Sequence, residues 1–95
     1  MNILHIVRTS AFSDSKLKNC IQLTQNGDAL FLIDDGVYNL VHPLLTSAKT
    51  RLSIYALTDH ILARGLRIDN TQVINTDMHQ LVVLTEQAKK VVTWQ

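Results

Sequence analysis

The stretch Gly27-Asp28-Ala29-Leu30-Phe31-Leu32-Ile33-Asp34-Asp35-Gly36 decides the fold. Its centre, Ala29 to Ile33, is unbroken apolar sequence bounded by turn residues. A strand without polar alternation has both faces covered, which points to the middle of a parallel sheet. The Asp-Asp-Gly step behind it joins a carboxylate able to cap the next helix to a glycine that lets the backbone turn sharply.

Upstream, Asn2 to Val7 carries Ile3, Leu4, Ile6 and Val7 around His5 and reads as the first strand. After Arg8-Thr9-Ser10, the residues Ser13, Asp14 and Ser15 compete to cap a helix in which Leu17, Cys20, Ile21 and Thr24 share one face. Asn26-Gly27 is expected to stop that helix, since these residues enter the left-handed conformation at least cost.

Downstream, Val37, Leu40 and Val41 form a short helical stripe. His42-Pro43 interrupts it, because proline lacks an amide donor and clashes with the preceding turn. A turn of helix follows around Leu44 to Ala48, then a third strand from Leu52 to Leu57. Asp59 is expected to cap a brief helix from His60 to Arg64, ended by Gly65. Gln72 to Asn75 reads as a short fourth strand. Thr76 or Asp77 caps the last helix, whose inner stripe is Met78, Leu81, Leu84 or Thr85, and Ala88. Val91, Val92 and Trp94 make a terminal strand. Alternating strand and helix specify a single α/β domain over residues 1–95, with a mostly parallel sheet and helices on both faces.

At 95 residues, 46% hydrophobic and 18% charged, the chain is more apolar than a small solitary domain needs for solubility, so a partner surface is expected. A net charge of +1, with its cations scattered, disfavours direct nucleic-acid binding. The lone cysteine, Cys20, excludes an internal disulfide and a thiolate metal site. Asn2 to Val7 is too short for a signal sequence, and nothing approaches the length of a membrane span. A cytoplasmic protein is expected, with no membrane association, cofactor or metal.

Ligands of open parallel sheets bind at the carboxyl ends of the strands. Here those positions are Arg8-Thr9-Ser10, Asp34-Asp35-Gly36, Thr58-Asp59-His60 and Thr76-Asp77. One reading makes this acidic, hydroxyl-rich rim a divalent-metal or phosphoacceptor pocket using Asp34 or Asp35. The other makes Asp35, Asp59 and Asp77 helix caps. Cys20 is the one residue suited to persulfide chemistry, which requires a thiolate to accept and pass on sulfur. Against that role, Leu17 and Ile21 flank it on an apolar face, where cysteine commonly serves as inert packing. His5 reads as a core or interface residue. His42, His60 and His79 lack the partners of a zinc site; Arg64 and Arg67 flank Gly65 and could hold a carboxylate, although solvated surface is the commoner role.

Taken together, Leu4-His5, Gly27-Asp28 with the apolar strand, Asp35-Gly36-Val37, Ile54-Tyr55-Ala56-Leu57 leading to Asp59, Ala63-Arg64-Gly65-Leu66 and Trp94 resemble the DsrH/TusB family over nearly the whole chain. The resemblance implies the DsrE/F/H-like α/β fold. It also implies a place in a heterohexameric sulfurtransferase, two copies each of three related subunits, with DsrE/TusD-like and DsrF/TusC-like paralogues as partners and sulfur-carrier proteins downstream. One branch of such complexes relays sulfur toward 2-thiouridine at the tRNA wobble position, and the other serves dissimilatory sulfur oxidation. The principal persulfide cysteine of these complexes belongs to the DsrE/TusD subunit. DsrH-like chains carry a cysteine where Cys20 stands, which makes Cys20 the candidate catalytic residue of this chain. Met78 or His79 stands where the family often has an aromatic.

Overall fold

The computed structural model describes residues 1–48, 52–67 and 72–95. Five strands, β1 (Ile3–Val7), β2 (Ala29–Leu32), β3 (Ser53–Leu57), β4 (Ile74–Thr76) and β5 (Lys90–Trp94), form one sheet in the order β4-β3-β2-β1-β5. Every adjacent pair is parallel. Among the described residues four α-helices accompany them: α1 (Lys16–Leu23), α2 (Pro43–Ala48), α3 (Thr58–Ala63) and α4 (Met78–Gln87). The connection from β2 to α2 is a 3-10 helix, Asp34–Val41.

β2 lies at the centre of the sheet, and all four of its residues are buried. The unbroken apolar run is therefore used as its pattern implies: alternate residues serve opposite layers. Leu30 and Leu32 join Val7, Leu17, Cys20, Val37, Leu45, Ile54 and Ile61 beneath α1, α2, α3 and the 3-10 helix. Ala29 and Phe31 join Leu4, Ile6, Leu57, Leu81 and Leu84 beneath α4. One face thus carries four helical segments and the other a single helix.

The chain steps outward from β1 to β4 and then returns in one crossover, through α4, to place β5 beside β1. Right-handed crossovers in opposite directions put their helices on opposite faces, which explains the unequal division.

Several boundaries differ from the sequence reading, each for a local reason. α1 ends at Leu23, before Asn26-Gly27, because Thr24 is extended and its hydroxyl donates to the Ile21 carbonyl. The Gln25 amide meanwhile donates to the Asp28 carboxylate. Gly27, at φ 91°, turns the chain into β2 rather than closing the helix. Proline opens α2 instead of merely breaking a helix, since the first helical position needs no amide donor. α3 begins at Thr58, so Asp59 lies inside its first turn and makes no cap. Asp77 does cap α4, accepting from the Gln80 amide at 2.9 Å.

Candidate functional site

The side chains able to do chemistry fall into three groups. The first is the rim at the carboxyl ends of β1, β2, β3 and β5. Asp34 follows β2 with φ at 51°, a left-handed conformation uncommon outside glycine but accessible to aspartate. Its amide donates to His60 Nδ1 at 2.7 Å, and its carboxylate accepts from Arg8 Nε at 2.7 Å. Arg8 also donates to the Gln95 side chain at 2.9 Å. Asp35 pairs with Arg64, whose Nε donates at 3.0 Å.

Neither aspartate caps the 3-10 helix; its N-cap is Ile33, without a side-chain hydrogen bond. The capping expected of Asp35 gives way to the salt bridge with Arg64, which α3 brings within reach. Both acidic groups that could have built a metal pocket are thus engaged by arginines. Among the described residues no cluster of three or more His, Cys, Asp or Glu could hold a metal ion.

The second group is buried. His5 and Asp28, 3% and 4% exposed, meet across β1 and the turn before β2, with Nε2 at 3.3 Å from Oδ2. Trp94 Nε1 donates to His5 Nδ1 at 3.2 Å. An indole nitrogen is only a donor, so Nδ1 accepts, and Nε2 carries the proton that reaches Asp28. Asp28 accepts in addition from the amides of Ile3 and Gln25. Burial alone would push its pKa up, but these amides and His5 outweigh it, and the carboxyl lies below the usual carboxylate range. His5 is thus a satisfied core residue.

Cys20 is the third. Its side chain is wholly buried, packed with Leu17 and the sheet beneath α1. Burial pushes its pKa up to about 12, with a smaller contribution from the Asp28 carboxylate. At neutral pH the sulfur is a thiol with no access to a sulfur donor in this conformation. A reactive cysteine requires the opposite setting, exposed and electropositive.

The remaining histidines and Arg67 stay apart. His42 stacks edge-on with exposed Phe12, ring centroids 4.6 Å apart, and its Nδ1 accepts from the Leu44 amide. His79 and Arg67 are exposed. Sequence reasoning missed buried Asn39, whose side-chain oxygen accepts from the Ala11 amide at 2.7 Å and whose nitrogen donates to the Thr9 carbonyl. It also missed the Trp94-His5-Asp28 chain. Neither has a signal in spacing, because the partners lie 23 to 89 residues apart.

The DsrH-like protein family model matches residues 9–91. The chain belongs to the DsrH-like family. The crystal structure of the ychN protein from E. coli superposes on this DsrH-like chain with a TM-score of 0.77, at 19% identity, covering 98% of this chain and 99% of that one. That likeness establishes the α/β fold. Comparison with curated proteins gives no match. No described helix is long and apolar enough to cross a membrane.

Proposed function

We propose that this chain is a subunit of a heterohexameric sulfur-relay complex, packed against DsrE/TusD-like and DsrF/TusC-like paralogues in the cytoplasm and serving 2-thiouridine formation at the tRNA wobble position. The membership of the DsrH-like family carries the proposal. The distribution of apolar surface supports it. On the face covered by α4 alone, Ile74, Met78 and Val82 are each half exposed, and Met78 and Val82 stand one turn apart on the helix. Val91 is also exposed, and Phe12, Leu23, Val41 and Leu62 add exposed apolar surface elsewhere on the chain. A second apolar layer over this face would complete the sandwich that the other face already has.

In this reading the subunit is structural, and sulfur travels through a partner's cysteine. The burial of Cys20 and its raised pKa favour packing over persulfide transfer. The alternative is a DsrH-type subunit in sulfur oxidation with Cys20 as persulfide carrier, which would require α1 to lift from the sheet. A solitary ligand-binding module using the rim has less support, because arginines engage Asp34 and Asp35.

Co-expression with the two paralogous subunits tests the reading. The expected result is a stable complex containing all three chains, and loss of 2-thiouridine from tRNA when the gene is deleted. A complex that forms while tRNA thiolation is unaffected selects the oxidation branch. A chain that stays monomeric beside both partners removes the proposal. Incubation with a persulfide donor should leave Cys20 unmodified in the native protein, and a mass increase of one sulfur on its peptide would restore the carrier role.

A further inference from the structure

A buried histidine–carboxylate pair is a costly way to fill the interior of so small a domain, because apolar side chains of similar volume commonly do as well or better. His5 and Asp28 are nevertheless almost fully enclosed. What distinguishes the pair is its third member. Trp94 lies at the end of the edge strand β5, and its indole is anchored on the one imidazole nitrogen that a proton would convert from acceptor to donor.

Beyond Trp94 the contacts lead outward to the rim. The Trp94 carbonyl accepts from the Arg8 amide at 3.0 Å. Gln95, the next residue, accepts from Arg8 Nη1, and Arg8 Nε holds Asp34. An unbroken series of contacts therefore runs from Asp28 through His5 and Trp94 to the Arg8–Asp34 pair, and on to His60 through the Asp34 amide.

We propose that His5 is a proton-operated latch on the end of β5: protonation at Nδ1 releases the Trp94 indole and loosens the grip of Trp94 and Gln95 on Arg8. The step is a simple protonation. Solvent supplies one proton to Nδ1, the Trp94 N–H···N bond is lost, and the imidazolium keeps its Nε2–H···Asp28 bond.

The groups facing His5 are consistent with this. Asp28, from the turn before β2, is anionic and remains so well into the acid range, so it stabilises the imidazolium. Cys20, from α1, feels the Asp28 charge and is itself neutral at and below neutral pH. β5 presents the uncharged indole of Trp94. Acid thus meets a site already provided with a counter-charge, and the indole N–H is the group displaced.

The chain contains one tryptophan, so its fluorescence reports the latch directly. The full chain is titrated from about pH 8 to about pH 5, the interval in which histidine changes charge, while far-UV circular dichroism tracks the fold. The expected result is a reversible shift of tryptophan emission at constant dichroism, absent in His5→Gln. In parallel, the Arg8 amide should lose hydrogen-exchange protection at the acid end, once the intrinsic pH dependence of exchange is divided out. No emission shift in the native chain, or an identical shift in His5→Gln, overturns the proposal.

Should His5→Gln fail to fold, Trp94→Phe serves with imidazole ¹⁵N spectroscopy. Loss of the indole donor should move the His5 Nδ1 resonance at neutral pH, and an unmoved resonance overturns the latch. In the native chain at neutral pH the same spectra should report the Nε2–H tautomer. The Nδ1–H tautomer would contradict the geometry from which the latch is drawn.

Discussion

Two residues bear consequences out of proportion to their size. Gly36 follows the two rim aspartates, and a methyl group at its α-carbon would overlap the Val7 carbonyl oxygen, which is backbone and cannot swing aside. Gly36→Ala should therefore destabilise the chain by about 3 kcal/mol or more, as overpacking without room to relax does, measured by urea denaturation. Cys20 gives a pH signature. Its ordinary value of 9.0 becomes about 12 in the fold, so between those limits the unfolded chain releases a proton that the folded chain retains. Stability should accordingly be unaffected by Cys20 below about pH 8 and fall as pH rises above 9. Cys20→Ala, at a cost of about 1 kcal/mol for the lost sulfur, should flatten that alkaline decline in thermal melts. Alkylation of the native thiol should be slow at neutral pH and fast in denaturant. The glycine was legible in sequence as a turn residue, but the close approach to Val7 that makes it irreplaceable is a product of tertiary packing. For Cys20 the sequence left two roles open; of its apolar neighbours on the helix face, Leu17 is buried with it and Ile21 partly so.

At the scale of elements, hydrophobic pattern located the inner strands β1, β2 and β3 best, because a strand between two layers must be apolar whatever its neighbours; the edge strands β4 and β5 are only partly buried, and β4 begins two residues later than the pattern placed it. Helix starts were less legible. Asp14, Asp35, Asp59 and Asp77 all looked like caps, and only Asp77 occupies the N-cap with its side chain on an amide of the first turn. Asp14, one position before the cap residue Ser15, reaches the Lys16 amide instead. Asp35 was drawn away by Arg64, and Asp59 fell inside a helix that began early. Capping preference acts on the local backbone, whereas an arginine delivered by another element is invisible to it. Asp77, the one of these aspartates that caps, yields a clear expectation: Asp77→Ala should destabilise the chain by about 1 kcal/mol, with the loss visible as faster amide exchange in the first turn of α4. Asp59→Ala, which removes no cap, should change stability by less than about 0.5 kcal/mol.

For the molecule as a whole, the unequal division of helices between the sheet's faces is the feature on which assembly turns. Val82→Arg alters a half-exposed side chain on the outer stripe of α4. The isolated chain should keep its thermal stability to within about 0.5 kcal/mol, while capture of the paralogous subunits in a pull-down should fall at least about tenfold, since burying an unpaired charge costs more than 1.4 kcal/mol. Undiminished capture would direct the search to other exposed apolar residues, among them Phe12, Leu23, Val41, Leu62 and Val91. The α/β class was legible from the alternation of patterns. The strand order was not, because the pairing of β1 with β5 joins opposite ends of the described chain and no local signal encodes it.

That pairing sets the order in which the molecule can be built. Ile3 lies opposite Lys90 and Val7 opposite Trp94, so these contacts close the longest loop of any strand pair in the sheet, whereas β1 with β2 and β2 with β3 close much shorter ones. Loop-closure entropy and the slowness of distant parallel pairing make the last strand the natural latecomer. A nascent chain emerging from the ribosome can assemble β1 to β4 and cover one face while the flank of β1 stands open, waiting for β5, the last strand to be made. During that interval the exposed edge is the site most liable to pair wrongly with another chain, and the hydrogen bond from Trp94 to His5 marks the moment when the hazard ends.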